Sequence, residues 1–87
     1  VFVDAAHALG CTRVDMQEIG AYFYTSNLHK WFFCPASVAF LYARASAKAR
    51  DLHHPVVSHE YGNGLAVESS WTGKRDYSAQ LVVLAVM

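Results

Sequence analysis

The sequence predicts an α/β fold, with a mostly parallel sheet that includes an antiparallel strand. Three observations carry this. Val1-Phe2-Val3 is a continuous apolar run that stops at Asp4, the pattern of a strand buried on both faces of a parallel sheet. Ala21-Tyr22-Phe23-Tyr24-Thr25 is a second run of β formers, set apart from the first by a helix-like stretch. Ser37-Val38-Ala39-Phe40-Leu41-Tyr42 is a third, partly alternating run. Only residues 31–36 lie between Lys30 and that third strand, and Pro35 breaks any helix there. The second and third strands are therefore expected to be antiparallel neighbours.

The other elements follow in order. Ala5-Ala6-His7-Ala8-Leu9-Gly10 turns away from the first strand. Residues 14–20 read as a helix of one or two turns, ended by Gly20. Residues 45–51 read as a short surface helix that exposes Lys48, Arg50 and Asp51, and residues 55–58 as a brief strand. Residues 59–64 and 69–76 are polar segments punctuated by glycine. Asp76 is placed to N-cap an apolar helix over residues 77–87. There is no internal repeat, low-complexity tract or linker.

Composition places this stretch inside something larger. Hydrophobic residues make up 54% and charged residues 16% of the 87, against the usual quarter for charge. Residues 1–87 are thus expected to be part of a large domain truncated at both ends. Alone, such a piece would bare strand edges and apolar faces, and is expected to be an inactive structural fragment. The formal net charge is zero, with no basic stripe to suggest nucleic acid or a membrane surface. No apolar run approaches the ~20 residues of a membrane span. Cys11 and Cys34 are too few and too far apart for a disulfide scaffold. That favours a reducing compartment, and the cytoplasm or mitochondrion is expected. His7, His29, His53, His54 and His59 are a stock of metal ligands, but no pair has zinc-like spacing. A metal-binding module is the weaker alternative, and no metal ligand is assigned.

The chemistry centres on Thr25-Ser26-Asn27-Leu28-His29-Lys30-Trp31-Phe32-Phe33. A lysine amine in an apolar setting becomes a nucleophile that forms a Schiff base with a carbonyl. The bland alternative is a lysine whose stem packs on Trp31 while its head stays in water. Trp31, Phe32 and Phe33 read as packing beneath this loop. In open α/β sheets, ligands bind beyond the carboxyl ends of strands. Asp4 with His7, and Asn27 with His29 and Lys30, fall at such ends; Asp4 also suits a turn or N-cap. An aspartate and a lysine facing one pocket suit pyridoxal 5'-phosphate: the lysine binds the aldehyde, and the aspartate keeps a proton on the ring nitrogen.

Val3-Asp4-Ala5-Ala6-His7-Ala8, Phe23 to Trp31 and Trp71-Thr72-Gly73-Lys74-Arg75-Asp76 together resemble the class V aminotransferase family. Within it they are most similar to the isopenicillin N epimerase-like branch, which includes plant L-cysteine desulfhydrases. Phe40 to Arg44 and His54 to Gly62 extend the likeness over nearly the whole chain. The resemblance implies a fold type I enzyme, of which this is part of the large cofactor-binding domain. It implies pyridoxal 5'-phosphate as cofactor, an amino-acid substrate and a homodimer. The implied reaction is β-elimination from L-cysteine, with epimerisation or desulfuration as alternatives. Lys30 would carry the Schiff base and move the α-proton, Asp4 would pair with the ring nitrogen, and His7 would stand beside the phenolic oxygen. His29 and Asn27 would reach the cofactor phosphate. Thr72 and Gly73 would approach the phosphate bound by the partner subunit. Lys74 stands where the family has a phosphate-binding threonine.

Overall fold

The computed structural model describes residues 1–45, 51–71 and 73–87. The elements, in order, are β1 (Phe2–Asp4), α1 (Met16–Ile19), β2 (Phe23–Asn27), β3 (Ala39–Ala43), α2 (Leu65–Glu68), α3 (Ser78–Leu81) and α4 (Val83–Val86). They fall into two compact units, residues 1–44 with 76–87, and residues 45–75.

The first unit is built on a mixed three-stranded sheet in the order β1-β2-β3. β1 runs parallel to β2, with Phe2 opposite Phe23, Val3 opposite Tyr24 and Asp4 opposite Thr25. β3 runs antiparallel to β2, from Phe23 opposite Ala43 to Asn27 opposite Ala39. The antiparallel β2–β3 pair is the one expected from the sequence. Central β2 alternates: Tyr24 and Ser26 are buried, while Phe23, Thr25 and Asn27 are half-buried. Tyr24 stacks on Phe40 of β3 with ring centres 6.0 Å apart. Phe2 is 59% exposed, against the expectation of a strand buried on both faces. The face of β1 that carries Phe2 is left largely bare by the described residues.

The connection from β1 to β2 passes through α1. Asp15 caps this helix: one carboxylate oxygen accepts the N–H groups of Gln17 (3.0 Å) and Glu18 (3.2 Å). Those backbone bonds, chiefly that from Glu18, hold its carboxyl below the usual range. Gly20 ends the helix at φ 65°, its N–H returning to the Met16 carbonyl. The core beyond the sheet is small. Leu28, Cys34 and Val38 form it, and Leu9, Phe32, Phe40, Ala79 and Val83 pack against it. Thus α3 and α4 each give one residue to this core.

Three local expectations fare differently. Residues 77–87 are not one helix but two short ones, interrupted at Val82. Val82, Val83 and Val86 are β-branched and lose side-chain freedom in a helix, which weakens propagation. Asp76 does bond to this region, accepting the Ser78 N–H at 2.9 Å. Residues 55–58 form bends and irregular backbone instead of a strand, with no partner edge among the described residues. The helix expected over residues 45–51 lies mostly outside the described residues.

Gly10 separates two kinds of glycine constraint. Its φ is +86°, and a Cβ there would collide with the Trp31 carbonyl. At Gly20 the φ is +65°, but a Cβ would meet nothing within 4 Å. In the full-length protein, Gly20→Ala should cost about 1–2 kcal/mol for the left-handed backbone alone. Gly10→Ala should cost clearly more, because backbone must also move. Denaturant unfolding of both variants checks this, and equal losses would contradict the packing described.

Candidate active site

The parallel register brings the candidate residues to one end of the sheet. Asp4 closes β1 opposite Thr25 of β2. Paired residues of adjacent strands share a face, so Asp4, Thr25 and Asn27 lie on one side and Ser26 on the other. The chain leaves β1 into the turn that bears His7, and leaves β2 into the loop that bears His29 and Lys30.

Each loop is tied down. The Ala5 N–H donates to the Thr25 carbonyl at 2.9 Å, extending the ladder by one bond. Ser26, with 0% of its surface exposed, donates its hydroxyl to the Ala5 carbonyl at 2.7 Å and accepts the Leu9 N–H at 3.3 Å. It thereby pins both ends of the His7 turn to β2. The lysine loop is closed by Val38, whose carbonyl accepts the N–H of Leu28 (2.9 Å), the N–H of His29 (3.3 Å) and His29 Nδ1 (2.8 Å). Cys34 N–H to the Leu28 carbonyl, at 3.1 Å, closes it again.

Within this frame Lys30 Nζ lies 3.0 Å from His7 Nε2. Trp31 Nε1–H donates to His7 Nδ1 at 3.1 Å. Trp31 is 50% and Phe33 83% exposed, so of the three aromatics only Phe32 packs on the core. That corrects the reading of all three as packing. The exposed carboxylate of Asp4 accepts the Ala6 N–H at 3.2 Å, the turn-forming role also foreseen for it. His29 has its own constraint. A carbonyl only accepts, so Nδ1 carries the proton toward Val38, and in the neutral ring Nε2 presents a lone pair. Donation from Nε2 to a phosphate requires a second proton on the ring. Asn27 ends β2 half-buried on the Asp4 face.

The structure thus groups Asp4, His7, Asn27, His29 and Lys30 at one sheet end. Gly73 lies in the other unit, and Thr72 is outside the described residues. Ser26 was not singled out from the sequence. A lone serine inside an aromatic strand was the available signal, since a buried hydroxyl needs partners.

The second unit has a polar centre of its own, also not foreseen. Glu68 ends α2 and is 1% exposed. Its Oε1 accepts His53 Nδ1 at 2.7 Å and the Gly62 N–H at 3.0 Å. Burial raises its carboxyl, but the Gly62 N–H and His53 outweigh that and leave it below the ordinary 4.5. Beside it, Val57, Ser58, His59, Trp71 and Gly73 line part of a cavity of about 560 Å³. Among the described residues no group of three or more His, Cys, Asp and Glu is placed to hold a metal ion. No helix among them is long and apolar enough to cross a membrane.

Curated proteins resemble the chain closely. It is 74% identical over 89 residues to a probable chloroplastic L-cysteine desulfhydrase of Arabidopsis thaliana, covering all of this chain and 19% of that protein. It is 66% identical over 87 residues to an L-cysteine desulfhydrase of the same plant, again covering all of this chain and 19% of the relative. An isopenicillin N epimerase of Streptomyces clavuligerus is 37% identical over 59 residues, 68% of this chain and 15% of that protein. The chain therefore spans about a fifth of the length of its plant relatives. No protein-family model matches it, and no solved structure does.

Two measurements on the full-length protein probe these anchors. Ser26→Ala leaves the part-buried Leu9 N–H without its acceptor, while the Ala5 carbonyl keeps the Ala8 N–H, and should cost about 1–3 kcal/mol in denaturant unfolding; a neutral result would remove the clamp. For Glu68 the sign follows from its lowered value. Its stabilisation is present above pH 4.5 and is lost as pH falls through the folded value. Glu68→Gln should therefore lower the melting midpoint at neutral pH, and the gap from wild type should shrink in acid. A gap that widens in acid would contradict it.

Proposed function

Since the chain belongs with the plant L-cysteine desulfhydrases, we propose that it is part of the large domain of a pyridoxal 5'-phosphate enzyme of the class V aminotransferase family. The full-length protein would have the fold type I architecture, its sheet mostly parallel. Its reaction is β-elimination: L-cysteine and water give sulfide, pyruvate and ammonia.

One observation carries the reading. The Asp4–Thr25 register sends an acid and an amine off the same end of neighbouring strands, with an imidazole at the amine. This donor set suits an aldehyde-bearing pyridine ring. When bound, the cofactor supplies an electron sink for the pair left at the substrate α-carbon. Lys30 Nζ would hold the cofactor and would take the proton from the substrate α-carbon. The Asp4 carboxylate holds a proton at the ring nitrogen. His7, 3.0 Å from Lys30 Nζ, would hydrogen-bond the phenolic oxygen. Asn27 and His29 would bind the phosphate. Thr72 and Gly73 serve the partner protomer's phosphate in a homodimer. Cys34 is buried in the core cluster, so it is not offered as a sulfur-attacking nucleophile. The epimerase relative keeps epimerisation as the second reading.

The expected cytoplasmic or mitochondrial setting gains no support. One relative is named chloroplastic, and a plastid location is proposed instead.

In the full-length protein, Lys30→Ala should lower sulfide release from L-cysteine by on the order of 10²–10⁴-fold, the scale of a lost general base. Asp4→Ala should retain cofactor and lose most of the rate. Elimination that survives Lys30→Ala would refute the assignment.

A further inference from the structure

We infer that Trp31 is a positioning residue, which fixes the tautomer of His7 and through it sets the hydrogen-bond role that His7 offers to Lys30. The inference rests on the assignment of Lys30 as the reactive amine. An indole N–H is a donor and nothing else. Trp31 Nε1 lies 3.1 Å from His7 Nδ1, so Nδ1 must present a lone pair. A neutral imidazole with a lone pair on Nδ1 carries its proton on Nε2. That Nε2 is the atom 3.0 Å from Lys30 Nζ. An ammonium has three donors and no lone pair, so it cannot accept from Nε2–H. A free amine can. The two hydrogen bonds together leave a donor, Nε2–H, facing the Lys30 amine. Once the amine is engaged elsewhere, the same Nε2–H is a donor for an anionic oxygen.

The geometry around Trp31 holds it against His7. The His7 turn is pinned to β2 through Ser26, at Ala5 and at Leu9. Gly10, which ends that turn, sits against the Trp31 backbone so closely that no Cβ fits between them. His7 and Trp31 rings are 6.4 Å apart and tilted by 50°. The exposed tryptophan is thus placed by backbone contact beside the histidine it donates to, with no core packing to account for it.

The test uses cofactor-free full-length protein. Histidine labelled with ¹⁵N in the ring, with His7→Gln to assign the resonance, reads the tautomer directly. Wild type should show an unprotonated Nδ1 and a protonated Nε2, and Trp31→Phe should lose that preference. A protonated Nδ1 in wild type overturns the inference. A second readout is the acylation rate of Lys30 by an amine-selective ester, followed by peptide mass spectrometry. Trp31→Phe should slow it about fivefold, the equivalent of one net hydrogen bond. The effect should vanish in a His7→Gln background, as expected if Trp31 acts through His7. An equal loss in both backgrounds would make Trp31 merely structural. Sulfide release by wild type against Lys30→Ala tests the assignment of Lys30 separately, so either idea can fail alone.

Discussion

The parallel pairing of β1 with β2 is the constraint on which the site depends. Parallel strands share a direction, so whatever follows each of them emerges at the same end. The Asp4–Thr25 register then sets the two loops side by side. A slip of one residue would turn Asp4 to the opposite face and break the grouping with Asn27. Antiparallel β3 adds no loop of its own to that end. Instead its approach brings Val38, whose carbonyl closes the lysine loop.

The loops beyond the strands are held by polar groups more than by apolar burial. Ser26 fastens the His7 turn, Val38 fastens His29, and Gly10 lets the two loops touch. The described core of this unit is only a few residues, so these bonds set the local geometry. Hydrogen bonds constrain direction as well as distance, and a carbonyl, an indole and a hydroxyl each dictate where a neighbouring proton lies. That is how a static arrangement decides which ring nitrogen of His29 carries its proton. It also explains why the aromatic run after Lys30 is mixed in role. Phe32 faces the core, whereas Trp31 faces the histidine.

Much of this was legible in the sequence, for physical reasons. The three strands announced themselves through runs of β formers ending at polar residues, and α1 through Gly20. The candidate site was legible because strand ends and reactive residue types coincide at Asp4 and Lys30. What escaped was set by tertiary partners. Ser26 looks like any strand serine until Ala5 and Leu9 are seen against it. Glu68 resembles a surface acid, yet His53 and the Gly62 N–H let it be buried. Phe2 reads as interior because β1 was expected to have neighbours on both faces. The break at Val82 lies in the balance between β-branched residues and an apolar helix pattern, which sequence alone does not decide.

The central claim is that one amine, at Lys30, carries the cofactor. Reducing the cofactor-loaded full-length protein with borohydride fixes any imine as a stable secondary amine. Digestion and mass spectrometry then locate it. The account predicts a single pyridoxyl adduct on the peptide containing Lys30, lost in Lys30→Ala. An adduct on Lys48 or Lys74, or none on this stretch of chain, would contradict it.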